Sequence, residues 1–195
     1  MKRFICMVGV LVLANLSPSA KAANPASQPS VQQQIAQAVL PLPEDLRAGA
    51  TVVTYDPETG ARTVLRQGTN SLECEPEHPA SGFIRCYNNL TVPRRELVAK
   101  LHAQKKSDKE IEDIVAAEIK AGRLKVPPFG TMYYRLATKE GVIKCLWVMT
   151  VPYATSESIG VSTTSQRDAA LKGHGLPWLM RAGTAQAHIM MPINQ

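Results

Sequence analysis

The sequence predicts an α+β fold: a mainly antiparallel sheet with an inserted helical pair and an N-terminal helix. Three observations carry this reading. Short β-branched and aromatic runs bounded by turn residues occur at Thr51–Tyr55, Thr63–Leu65, Ser71–Cys74 and Gly82–Tyr87. Apolar spacing then becomes helical between Pro93 and Ala121, and period two returns after Pro127-Pro128. Strands, then helices, then strands argue against a regular βαβ alternation.

The N-terminus reads as residues 1–22, a secretory signal peptide. Lys2 and Arg3 supply the positive start, Phe4 to Leu13 the apolar run, and Ala20-Lys21-Ala22 the small-x-small cleavage pattern. That run is shorter than the roughly 20 apolar residues of a transmembrane helix, so the mature protein is expected to be secreted or periplasmic and not membrane-spanning. Residues 23–29 read as a flexible leader, and residues 30–195 as a single globular domain, a length able to bury a core without relying on disulfides. Loss of Lys2, Arg3 and Lys21 with the peptide lowers the formal net charge from +6 to +3. This is too mild for a nucleic-acid partner, which needs a concentrated basic face.

Taken in order, Ser30-Val31-Gln32-Gln33 matches a capping box, and Val31, Ile35 and Val39 give the following helix one apolar face. Pro41 and Pro43 stop it. Asp56-Pro57-Glu58-Thr59-Gly60 suits a type I turn closing at positive φ, joining Thr51–Tyr55 to Thr63–Leu65 as a hairpin. A second strand pair carries Cys74 and Cys86, joined by a polar loop from Glu75 to Ser81. An oxidising compartment makes these two cysteines the natural disulfide. The rival is a metal site of Cys74, His78 and Cys86, whose irregular spacing lacks a paired C-x-x-C. Asn89-Leu90-Thr91 is a glycosylation sequon, meaningful only in a eukaryotic secretory pathway, and otherwise a polar helix entry.

Leu97, Val98 and Leu101 begin the helical pair. A second capping box at Ser107-Asp108-Lys109-Glu110 restarts it after a break near Lys106, and Gly122 suits its C-terminal end. The mixed charges of this pair read as a solvated face. Thr131–Ala137 and Val142–Val151 are the next strands, turned by Lys139-Glu140-Gly141. Alternation puts Ile143, Cys145, Trp147 and Met149 on one face of the second and Lys144, Leu146 and Val148 on the other. Both faces being mostly apolar, this strand is expected at the centre of the sheet. Thr155 to Ser165 reads as a Ser/Thr-rich loop, a candidate mobile lid. Ser165-Gln166-Arg167-Asp168 caps a short helix to about Leu171, ended by Gly173.

No strong catalytic or cofactor motif is present: no G-x-S-x-G, no phosphate loop, no G-x-G-x-x-G, no H-E-x-x-H and no calcium loop. The remaining chemistry gathers between Gly173 and Pro192. Imidazole with thioether is a ligand set that suits copper, which nominates His174, His188 and Met190, with His188 and Met190 on the same face of a strand. The same segment also reads as the closing part of the sheet, with Trp178 and the methionines packed inward. Cys145, the odd cysteine of the mature chain, reads as a buried structural thiol beside Leu146 and Trp147. Cys145 and Trp178 are the candidate pocket residues. Three functions follow: a non-catalytic exported domain binding a protein, an envelope component or a small ligand; a copper or other metal-binding protein; or a secreted hydrolase or redox enzyme.

Overall fold

The computed structural model describes residues 29–78 and 81–193. The expected signal peptide, residues 1–22, and residues 23–28 of the expected leader lie outside them. The fold is α+β, built on one eight-stranded sheet of order β2-β1-β3-β4-β5-β6-β8-β7. Strands β1 (Thr51–Tyr55), β2 (Arg62–Arg66), β3 (Leu72–His78) and β4 (Phe83–Asn88) form the first half. Strands β5 (Met132–Ala137), β6 (Cys145–Thr150), β7 (Trp178–Met180) and β8 (His188–Pro192) form the second. Every pairing is antiparallel except β1 with β3, which run parallel with β2 on the outer side of β1.

Helix α1 (Val31–Ala38) starts where the capping box requires: Gln33 N–H donates to the Ser30 hydroxyl and Ser30 N–H to the Gln33 side chain. Together with Leu42 it covers one sheet face over Val52, Leu72, Cys74 and Cys86. Each such apolar side chain contributes about 1.5–3 kcal/mol when fully buried. Cys74 and Cys86 face each other in the β3–β4 register and form a disulfide, so neither sulfur remains for the Cys74–His78–Cys86 metal site considered from spacing.

Beneath the other face lie α3 (Val92–Ala103) and α4 (Asp108–Lys120), the inserted pair, with a chain reversal at Lys105 (φ 60°). Ile111, Val115, Leu101 and Leu124 make their shared core. The β1–β2 hairpin rests on α3: Asp56 Oδ1 accepts from Glu58 and Thr59 N–H, and Gly60 closes the turn at φ +70°. A Cβ on Gly60 would lie 2.6 Å from Lys100 N, so this glycine is required both by conformation and by the close approach.

Two elements depart from the pattern in the sequence. β6 begins at Cys145 rather than Val142, because the Ala137 N–H bond to the Lys144 carbonyl closes the β5–β6 connection there. Ile143 is therefore freed from strand alternation. It joins Leu146, Val148 and Trp178 on the opposite face from Cys145, Trp147 and Met149. Within Thr155–Ser165 a short helix α5 (Ser156–Ile159) forms, capped reciprocally by Thr155 and Ser158 and ended by Gly160 in the left-handed region. Serine at the third helical position is a weaker sequence signal than Glu or Gln, which is why this stretch reads as loop.

Candidate functional site

The second half of the sheet carries a cavity of about 670 Å³. Its floor is the face that α3 covers further along the sheet: Phe83 of β4, Arg135 of β5, Trp178 of β7 and Met190 of β8. Alternation places these side chains together, since Phe83 pairs with Ala137, two residues beyond Arg135, and Trp178 pairs directly with Met190. Val142 and Ile143 form one wall, and Thr163, Ser165 and Arg167 another. The second wall leads into α6 (Arg167–Leu171), whose Ala170 packs on Trp178 and Ile143. Gly175 permits this, because a Cβ there would sit 2.6 Å from the Ala170 backbone nitrogen.

Arg181 closes the remaining side. It takes φ 53°, an uncommon backbone region for a residue bearing a long side chain. It is held there by an ion pair with Glu112 of α4 and by a bond of 2.7 Å to the Gln186 side chain. The turn it opens is tied to the core by Gly183 N–H donating to the Ala154 carbonyl and Tyr153 N–H to the Thr184 carbonyl, each at 2.8 Å.

Three arginines line the cavity and no acid does. Arg135 is the least exposed of the three. Its guanidinium lies 4.3 Å from the Phe83 ring centre, and its buried Nε has no hydrogen-bond partner among the described residues. Burial pulls its pKa below the ordinary guanidinium value, and Arg85 beside it acts in the same sense. It stays charged at any physiological pH.

The sequence candidates fall as follows. Trp178 is buried in the cavity wall, whereas Cys145 lies on the opposite sheet face. Cys145 is buried and free, and burial pushes its thiol pKa up, away from the thiolate a nucleophile needs. His188 and Met190 share the cavity-side face of β8, with Met180 opposite His188. His174 stands apart from the strands, exposed between α6 and β7, its N–H bonded to the Ala169 carbonyl. Among the described residues no group of three or more His, Cys, Asp or Glu side chains is placed to hold a metal ion. Arg181 and Arg94 both act on the His188 ring, a charge environment that opposes a bound cation.

His188 is half-buried, and its Nδ1 donates to the Gln186 carbonyl at 2.8 Å, since that oxygen can only accept. Burial lowers its pKa below 6.5, with the two arginines adding to the effect. The unfolded chain therefore binds this proton at higher pH than the folded one, and acid favours unfolding. Stability present at neutral pH is lost as pH falls through 6.5 toward the depressed value. In urea titrations between pH 7.5 and 5, the wild-type midpoint is expected to drop more than that of His188→Gln. Parallel pH profiles would show that His188 titrates as it does in the unfolded chain.

Arg135, Phe83 and Ile143 were not legible as site residues. The available signal was a pair of arginines, Arg85 and Arg135, each set in a strand among aromatic residues: Phe83 and Tyr87 in β4, Tyr133 and Tyr134 in β5. Compared with protein-family models, curated proteins and solved structures, the chain matches none of them.

Proposed function

We propose that this is an exported, non-catalytic binding domain that takes a small ligand into the cavity between Phe83, Trp178 and Ile143. The cavity itself is the observation that carries the reading. Its volume of about 670 Å³ falls in the range of roughly 300–1,000 Å³ usual for ligand sites. An apolar lining with a few polar groups is also the usual make-up of such sites. The Cys74–Cys86 disulfide supports an oxidising, extracytoplasmic location. No helix among the described residues is long and apolar enough to cross a membrane. For the alternatives, the buried Cys145 is poorly suited to nucleophilic chemistry, and the arginines near His188 weigh against copper.

The test uses a neutral apolar fluorophore, N-phenyl-1-naphthylamine, with wild type and Thr163→Trp. Thr163 is exposed on the cavity rim, so an indole there obstructs entry with little effect on the core. Saturable binding by wild type, weakened about tenfold or more in Thr163→Trp, is the expected result; each tenfold corresponds to about 1.4 kcal/mol. Equal binding by both proteins would place the probe elsewhere and sink the proposal.

A further inference from the structure

The cavity's charge is as distinctive as its shape. Across the β4–β5 ladder Arg85 and Arg135 are direct register partners on the same face, and both guanidiniums lie by the Phe83 ring, at 5.0 and 4.3 Å from its centre. Like charges directly opposite each other destabilise a sheet. The nearest strand acid in this row, Glu75, faces Arg85 from β3 but is engaged by Arg95. Among the described residues the one hydrogen bond of the Arg85 side chain is a long one, to the Ser81 hydroxyl at 3.4 Å. Arg135 has no ion pair or hydrogen bond to any described residue through its side chain. The result is two adjacent cations whose facing acid is already engaged, one of them with its guanidinium in the wall of a largely apolar cavity.

We infer that the ligand is an amphiphilic anion, an apolar body carrying one carboxylate, phosphate or sulfonate head, and that Arg135 is the residue that receives the head. This rests on the cavity being a binding site. Guanidinium is the side chain best matched to such a head, because its planar N–H groups meet two oxygens at once. An anion there would also relieve the repulsion between Arg85 and Arg135. Trp178, Ile143, Val142 and Met190 would enclose the apolar body. A neutral or cationic ligand would leave the repulsion between Arg85 and Arg135 in place. A volume of about 670 Å³, the size of a site for one small ligand, favours a free molecule over a bilayer surface.

The experiment compares two fluorophores of nearly the same aromatic skeleton, anionic 8-anilinonaphthalene-1-sulfonate and neutral N-phenyl-1-naphthylamine. Wild type, Arg135→Gln and Arg123→Gln are titrated with each, the last carrying the same charge change at an exposed position outside the cavity lining. The expected result is a loss of about tenfold or more in sulfonate affinity for Arg135→Gln, the scale of a charged hydrogen bond. Arg123→Gln should lose less than threefold, and the neutral probe should bind Arg135→Gln within twofold of wild type. Unchanged sulfonate affinity in Arg135→Gln, or equal losses in both variants, overturns the inference and leaves the cavity reading intact. Failure of both probes to bind wild type removes that reading as well.

A second measurement needs no variant. On the wild-type protein, dodecanoate below its micelle concentration should displace the sulfonate probe at concentrations about tenfold or more below those needed with dodecanol or dodecyltrimethylammonium. Equal displacement by dodecanol overturns the head-group assignment. Pelleting of the protein with phosphatidylglycerol vesicles, without uptake of the monomeric probe, overturns the free-molecule assignment.

Discussion

Replacing Arg95 with methionine is expected to lower the unfolding free energy by about 3–5 kcal/mol, the range measured when one partner of a buried ion pair is removed. Arg95 is 7% exposed and comes from α3 into the space between two β3 carboxylates, Glu73 and Glu75. Glu73 is 3% exposed. Arg62 supplies a second cation to Glu73, so the two arginines and two glutamates balance, with Arg95 and Glu73 buried and Arg62 and Glu75 partly exposed at the edges. The Arg95 guanidinium also lies over the rings of Tyr87 and Tyr55, at 4.7 and 5.6 Å. Removing it leaves Glu75 without its partner and Glu73 with half of its own. Urea unfolding of Arg95→Met against wild type measures the effect. The double variant Arg95→Met/Glu75→Gln should recover about 1–2 kcal/mol by removing one orphaned charge. A single-variant loss below 1 kcal/mol would mean that water reaches this layer.

The disulfide is expected to contribute about 3 kcal/mol in the chain-entropy model, given its sequence separation of 12. Unfolding the oxidised protein and Cys74→Ala/Cys86→Ala side by side checks this. Both cysteines have no exposed surface, and the Ala38 carbonyl of α1 lies 3.3 Å from Cys86 Sγ. A reductant therefore has no route to the sulfurs in the folded state. Reduction should be slow in buffer and accelerate steeply with urea as the region under α1 opens. Reduction at the same rate with and without urea would show that α1 opens freely.

Much of the fold was readable because local chemistry and tertiary structure agree. Ser30 and Ser107 cap helices that begin one residue later, and Gly60 closes the hairpin that Asp56 and Pro57 start. The two cysteines were readable because the expected export and their place on two neighbouring strands made them each other's natural partner. What was not readable depends on irregular chain or on register between distant strands. Pro76 sits within β3, beyond the point where sequence ends the strand, at a register shift between Glu75 and His78 that excuses its missing N–H. The parallel β1–β3 pairing has no local signature. Ile143 changes faces because three residues before β6 are not strand, which no alternation count reveals. Arg135 was invisible for a related reason: one arginine in a strand reads as a solvent-facing residue until the neighbouring strands show what lies above it.

The strand order has a consequence for synthesis. β8, the last strand in the described chain, lies inside the sheet between β6 and β7, and β7 has no strand partner except β8. A chain emerging in order from its N-terminus can pair β1 through β6 as each arrives, but β7 must wait. Trp178 and Met190, opposite each other across that final pairing, are then brought together at the end of folding. Until residues 188–192 are delivered, the nascent protein holds its disulfide half nearly complete and its cavity unmade.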